Sequence, residues 1–283
     1  MLKIVADSGC YLPPELISRW GIHIVPLKVH FGETEVYDEI TGISNREFYR
    51  RLTTETVFPT TSQPSAGEFL DAYRRARRDG AAHILVLTIS GRLSGTFSAA
   101  CTAAAMFPDV PVTCFDSQSL GLGVGLMIAT AAEMNLAGES LPVILARLQQ
   151  MRRDLRVFIL LDTLEYLRRG GRIGNASAWV GSLLHIKPLL TLREGILHPL
   201  DKVRTRRKAM ERMLAEVKAA VPDRHTPVQL GAMHAGAPDD MAHLLATLRS
   251  HFTHIRRALS GEIGPTLGAH AGPRALAVGV CPD

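Results

Sequence analysis

Cysteine, aromatic residues and long apolar runs are all scarce in this chain, and each scarcity excludes something. The four cysteines, Cys10, Cys101, Cys114 and Cys281, show no Cys-x-x-Cys spacing, so neither a zinc ribbon nor a redox motif is indicated. Their scatter suits a reducing compartment, and we expect a cytoplasmic protein. Aromatics make up only 6% of the residues, too few for base-stacking platforms, so nucleic acid is not an expected partner. The longest near-apolar stretch, LGLGVGLMIATAAEM, falls short of a membrane span. MLKIVADSG runs straight into a strand-like segment, so no secretory leader is expected, and at most transient contact with a membrane surface. The nearest approach to a G-x-S-x-G elbow, GRLSG, has one residue too many before its serine. No G-x-x-x-x-G-K-[ST] phosphate loop and no H-E-x-x-H metal motif occurs. The run GLGVG, Gly121 to Gly125, misses the dinucleotide fingerprint. We therefore expect no metal, no cofactor and no catalytic residue.

What the chain does have is alternation. At 46% hydrophobic it can bury a sizeable core. Short apolar runs such as KIVA, IHIVPLKVHF, HILVLTI, VPVTCF and RVFILL recur between amphipathic stretches of helical length. Two of those stretches open on Ser-x-x-Glu, at Ser44/Glu47 and Ser65/Glu68, the capping-box spacing. The pattern predicts an α/β fold with mainly parallel sheets flanked by helices. LLTLREGILHPL is the exception: two apolar runs flank Glu194-Gly195 and read as an antiparallel hairpin.

Charge divides unevenly. Residues 1–150 carry 12 Lys and Arg against 15 Asp and Glu, a net of −3, which leaves 20 against 12, a net of +8, for residues 151–283. The change falls near QMRRDLR, residues 150–156, and predicts α/β domains at 1–155 and 156–283, the second containing the hairpin. In KVRTRRKAMERMLAEVKAAV, helical spacing turns Met210, Met213, Leu214 and Val217 inward and Arg206, Arg207, Lys208 and Arg212 outward. The outer face reads either as solvated or as a docking surface for an acidic partner.

In open α/β sheets ligands bind beyond the carboxyl ends of strands. The segments found there are Asp7-Ser8-Gly9, Thr61 to Ser65, Ser90 to Thr96, Asp116-Ser117-Gln118-Ser119 and Arg168 to Gly174. GPTLGAHAGPRALAVG adds His270 between glycine-bearing turns, and His234 reads as a satisfied loop histidine. Hydroxyls and exposed backbone amides can receive a carboxylate or phosphate. They can equally be ordinary helix N-caps.

Six stretches bear on that choice: PTTSQPSAGEF, SGRLSGTFSAA, DSQSLGLGVG, LEYLRRGGRIG, IKPLLTLREGIL and GPTLGAHAGPRALAVG. In this order and spacing they resemble the motifs of the DegV family of bacterial fatty-acid-binding proteins, over nearly the whole chain. The resemblance implies two α/β domains with one long-chain fatty acid between them and its acyl chain in an apolar tunnel. By motif, Thr61, Ser94 and His270 would hold the carboxylate, supported by Ser62 and the Gly95 amide. Arg172 and Arg204 would lie at the site mouth or on a partner-facing surface. The resemblance also implies a non-catalytic binding component that presents the acid to a separate ATP-binding kinase subunit. A carrier or sensor without a kinase is the alternative, and a lone acyl-processing enzyme a third reading.

One motif departs from the family. Ala269-His270-Ala271-Gly272-Pro273-Arg274 stands where the family usually has Thr-His-Thr-Gly-Pro-Gly, so two hydroxyls are lost and a cation is gained. Arg274 either pairs with the carboxylate or points to solvent. Leu27, Val29, Phe97, Leu122, Met127, Leu167, Ile173 and Leu267 are expected to be ordinary core.

Overall fold

The computed structural model describes residues 1–182 and 186–283, with backbone alone at 180–182. The first half runs β1 (Leu2–Asp7), α1 (Pro14–Trp20), β2 (His23–Val25), β3 (Lys28–Phe31), β4 (Glu35–Asp38), α2 (Asn45–Thr54), β5 (Thr60–Ser62) and α3 (Ala66–Arg78). It continues through β6 (His83–Thr88), α4 (Thr96–Ala105), β7 (Val112–Asp116), α5 (Leu122–Leu136) and α6 (Leu141–Asp154). The second half runs β8 (Arg156–Leu160), α7 (Glu165–Arg169), β9 (Lys187–Arg193), β10 (Ile196–Val203) and α8 (Arg206–Ala220). It closes with β11 (Val228–His234), α9 (Pro238–His251), β12 (Ile255–Glu262), α10 (Pro265–Ala271) and β13 (Leu276–Pro282). No helix among the described residues is long and apolar enough to cross a membrane.

The α/β class is as expected. Strands β2-β1-β6-β7 form a parallel sheet, in register at Val5↔Val86 and Val86↔Cys114. Successive side chains of a strand point to opposite faces, and both faces are covered, which is why these strands read as unbroken apolar runs. Val5, Ile84 and Val86 pack under α3 and α4 with Phe69, Tyr73 and Ala100. Ile4, Ala6, Leu85 and Leu87 face the opposite way, toward α5.

Mainly parallel pairing does not hold in the second sheet, β10-β9-β8-β13-β11-β12, where only β11 and β12 run parallel. Strands β9 and β10 are joined by a two-residue turn, which only antiparallel neighbours can use, and β13 inserts antiparallel between β8 and β11. The hairpin is present, with Glu194 and Gly195 both at positive φ, as a type I′ turn demands. The run IHIVPLKVHF is split at Pro26: β2 joins the parallel sheet, while β3 enters a small antiparallel sheet, β4-β3-β5.

Helix α5 lies between the two large sheets, in contact with β1, β6, β11 and β13. Every residue from Leu122 to Ala132 is buried, the expected fate of a helix apolar on all sides. The cluster around it takes in Val157, Ile159 and Leu190 as well as Ile4 and Leu87, so one apolar core spans both sides of position 155. On the far face of the second sheet, Met210, Met213, Leu214 and Val217 of α8 are buried as read. Arg206 is a correction. It is only 14% exposed, paired with Asp162 and Asp240 instead of facing water.

Candidate functional site

Between the sheets, next to the start of α5, lies a narrow cavity of about 90 Å³. Most of its walls are aliphatic: Leu27, Ile89, Leu93 and Leu120 from the first half, and Ile159, Leu161, Leu190 and Leu267 among those from the second. Of the residues read as core, Leu27, Leu167 and Leu267 line it, whereas Val29, Leu122 and Met127 are fully packed elsewhere.

The polar lining consists of Thr61, Ser62, Gln63, Ser94, Arg172, Thr266 and His270. Thr61 and Ser62 belong to strand β5 rather than to a loop beyond a strand, and adjacent strand residues point to opposite sides. Thr61 Oγ1 accordingly lies 2.8 Å from His270 Nε2, while Ser62 Oγ lies 2.8 Å from His30 Nε2. Ser94 comes just before the N-terminus of α4, its hydroxyl 2.8 Å from Thr96 Oγ1. Gly95 caps that helix and packs on Gln63, where a Cβ would come within 2.7 Å of the amide; it does not itself line the cavity.

His270 sits inside α10, not between turns. Burial, and secondarily the charge of Arg172, push its pKa down to about 4, so the ring is neutral at pH 7. Its Nδ1 has no hydrogen-bond partner among the described residues. Gly170 leaves the space the ring occupies, since a Cβ there would fall 2.2 Å from Nδ1. A neutral imidazole, two hydroxyls and a helix N-terminus form a cluster that can bind an anionic oxygen without a full countercharge.

The basic positions separate. Arg172 borders the cavity, exposed, and donates to the Gly170 carbonyl at 3.0 Å. Arg204 is exposed ahead of α8, away from the cavity, with no ion pair among the described residues. Arg274 does not line the cavity; its guanidinium lies 3.9 Å from both Asp162 and Asp240, and its backbone is at φ 62. His234, read as a loop histidine, is instead the last residue of β11, where it accepts from the Ala237 N–H at 3.2 Å.

Sequence reasoning missed the groups that hold α10 in place. The fully buried Glu39 accepts from Ser8 Oγ at 2.6 Å, from the Thr266 N–H at 2.9 Å, and from the Tyr11 hydroxyl. Burial raises its pKa, and those donors pull the other way. Beside it, burial lifts Asp7 to about 7 even though its carboxyl accepts from the Gly9 and Ile89 N–H groups. Nothing in VYDEITG distinguishes Glu39 from a surface acid, because its partners lie 28 or more positions away.

Comparison with known proteins adds the rest. A family model described as "Uncharacterised protein, DegV family COG1307" matches residues 1–283. A DegV domain-containing protein of Streptomyces coelicolor is 39% identical over 98% of this chain and 97% of its own. A solved structure described as fatty acid binding of a DegV family protein from Thermus thermophilus superposes with a TM-score of 0.93 at 37% identity, covering 100% of this chain and 99% of that one. DegV of Bacillus subtilis, described as a fatty acid binding protein, gives 0.91 at 31% identity, covering 100% and 99%.

Proposed function

The chain belongs to the DegV family, and from that membership we propose that it binds one long-chain fatty acid and presents it to a separate ATP-dependent kinase subunit. In this reading the carboxylate sits among Thr61, Ser94 and His270, supported by Ser62 and Gly95, and the acyl chain follows the aliphatic wall between residues 1–155 and 156–283. The observation that carries it is a largely aliphatic cavity whose polar lining holds Thr61 and His270 2.8 Å apart, with the Arg172 guanidinium at its border.

Energetics support the same assignment. About 15 methylenes at ~0.8 kcal/mol each supply roughly 12 kcal/mol of gross transfer free energy. Association and ordering remove several kcal/mol, so tight binding needs few polar contacts. Exposed Arg204 and the net +8 of residues 151–283 suit docking of an acidic partner. A cytoplasmic site of action follows from the same role.

The test is denaturing solvent extraction of the purified protein followed by mass spectrometry. One equivalent of a fatty acid, about C14–C18 on family grounds, is expected. A folded sample that yields no lipid and takes none up overturns the binding reading. Adding ATP with and without an ATP-binding kinase subunit then tests presentation. Acyl-phosphate is expected only with the subunit, and its absence in both reactions leaves a carrier.

A further inference from the structure

The strand-end segment Asp116-Ser117-Gln118-Ser119 has no place in the fatty-acid cavity. It borders a second and larger hollow, an open cleft of about 730 Å³. The two hollows lie back to back across this loop: Ser119 lines the cleft and Leu120 the cavity. Four guanidinium groups line the cleft: Arg152 and Arg153 from the last turn of α6, Arg156 opening β8, and Arg193 closing β9.

Elsewhere in the molecule many arginines are matched with acids, as at Arg51, Arg147, Arg206, Arg212 and Arg257, while others such as Arg77 and Arg92 stand singly among the described residues. None of the four in the cleft pairs with a carboxylate among the described residues. Arg152 donates to the Asp116 carbonyl and lies over the Phe115 ring, and Arg156 donates to the carbonyls of Arg153 and Leu155. Two carboxylates do share the cleft, Glu194 and Glu216, but Glu216 is already taken by Arg212. Like charges gathered in one concavity repel, and they focus a positive potential into it. Gln118, also on the wall, is held at φ 51 by the 3.0 Å bond from its N–H to Asp116 Oδ1. A non-glycine residue rarely adopts that conformation, and such strain concentrates at functional sites.

We propose that this cleft binds a phosphate-bearing small molecule of up to nucleotide size. Guanidinium forks match phosphate oxygens in planar, bidentate fashion, which arginines without an ion pair of their own are free to exploit. The volume falls within the roughly 300–1,000 Å³ of small-molecule sites. The proposal does not rest on fatty-acid binding, since the two hollows share only a wall.

The experiment is calorimetric titration of inorganic tripolyphosphate, and separately ATP, into the full chain at low ionic strength. Arg153 and Arg193 are exposed, so Arg153→Glu and Arg193→Glu leave the fold intact and check one another. Arg74→Glu on α3 makes the same change in net charge far from the cleft. One equivalent of tripolyphosphate is expected, weakened at least about tenfold by either cleft variant and less than about twofold by Arg74→Glu. No binding at millimolar tripolyphosphate overturns the proposal, as do equal losses in all three variants. Association confined to vesicles of anionic phospholipid, with none to tripolyphosphate, also overturns it.

Discussion

At the N-terminal end of α10 the Glu39 carboxyl takes hydrogen bonds from Ser8, Tyr11 and the Thr266 N–H, while at the C-terminal end His270 bonds to Thr61 and its Nδ1 has no partner among the described residues. The two ends treat their polar groups differently: a buried carboxyl is tolerable only when its hydrogen-bonding capacity is filled, so the anchoring end is filled. The end facing the cavity is kept neutral and short of partners, which leaves hydrogen-bonding capacity for a ligand. The difference separates a group that places the helix from a group that uses the place.

If that division holds, substitutions at the two ends have different readouts. The largest effect belongs to Glu39→Ala, which strands three donors at about 1 kcal/mol or more each. A fall in melting temperature of roughly 5–10 °C is expected in thermal denaturation, and an unchanged melt would remove Glu39 from its anchoring role. Next come Ser94→Ala and His270→Ala, expected to weaken a fluorescent fatty acid by about 10- to 50-fold through loss of hydrogen bonds to a charged group, worth ~1.5–2.5 kcal/mol. Their melting temperatures should stay near wild type, and unchanged affinity in displacement assays would count against the carboxylate end. Gly170→Ala tests the ring's seat: the added methyl displaces His270, and a loss of about tenfold is expected, nearer that of His270→Ala than of wild type.

The smallest effect concerns pH. The folded pKa of His270, about 4, lies below its ordinary 6.5, so the unfolded chain binds the proton that the folded chain refuses. Its contribution to stability is complete above pH 6.5 and is lost as pH falls toward 4. Asp7 runs the other way: raised from 3.8 to about 7, it contributes stability that is lost as pH rises across that interval. The two slopes oppose each other in wild type. His270→Gln should therefore shift the profile of melting temperature against pH toward relative stability in acid, and a parallel profile would argue against a buried neutral histidine.

Residues close in sequence were the legible ones. Ser65 and Glu68 form both bonds of a capping box, and Glu194-Gly195 makes the hairpin, because each device closes within a few positions. The inward face of α8 was legible for the same reason, since helical period alone selects Met210, Met213 and Val217. Arg206 was misread because its partners, Asp162 and Asp240, arrive from 44 and 34 positions away. The parallel pairing expected of the second sheet failed because β9 and β10 close a two-residue hairpin and β13 inserts antiparallel between β8 and β11, partners far from it in sequence.

The sequence by itself determined the α/β class, the helix caps and the hairpin, and by resemblance it nominated Thr61, Ser94 and His270. Those features follow from local periodicity and from motifs that keep their spacing. Only the tertiary structure decided that Thr61 and His270 meet across 209 positions, that Glu39 anchors the helix between them, and that Arg274 lies near Asp162 and Asp240 instead of in the cavity. Pairing over such separations is set by how sheets and helices stack, and no local pattern in the chain encodes it.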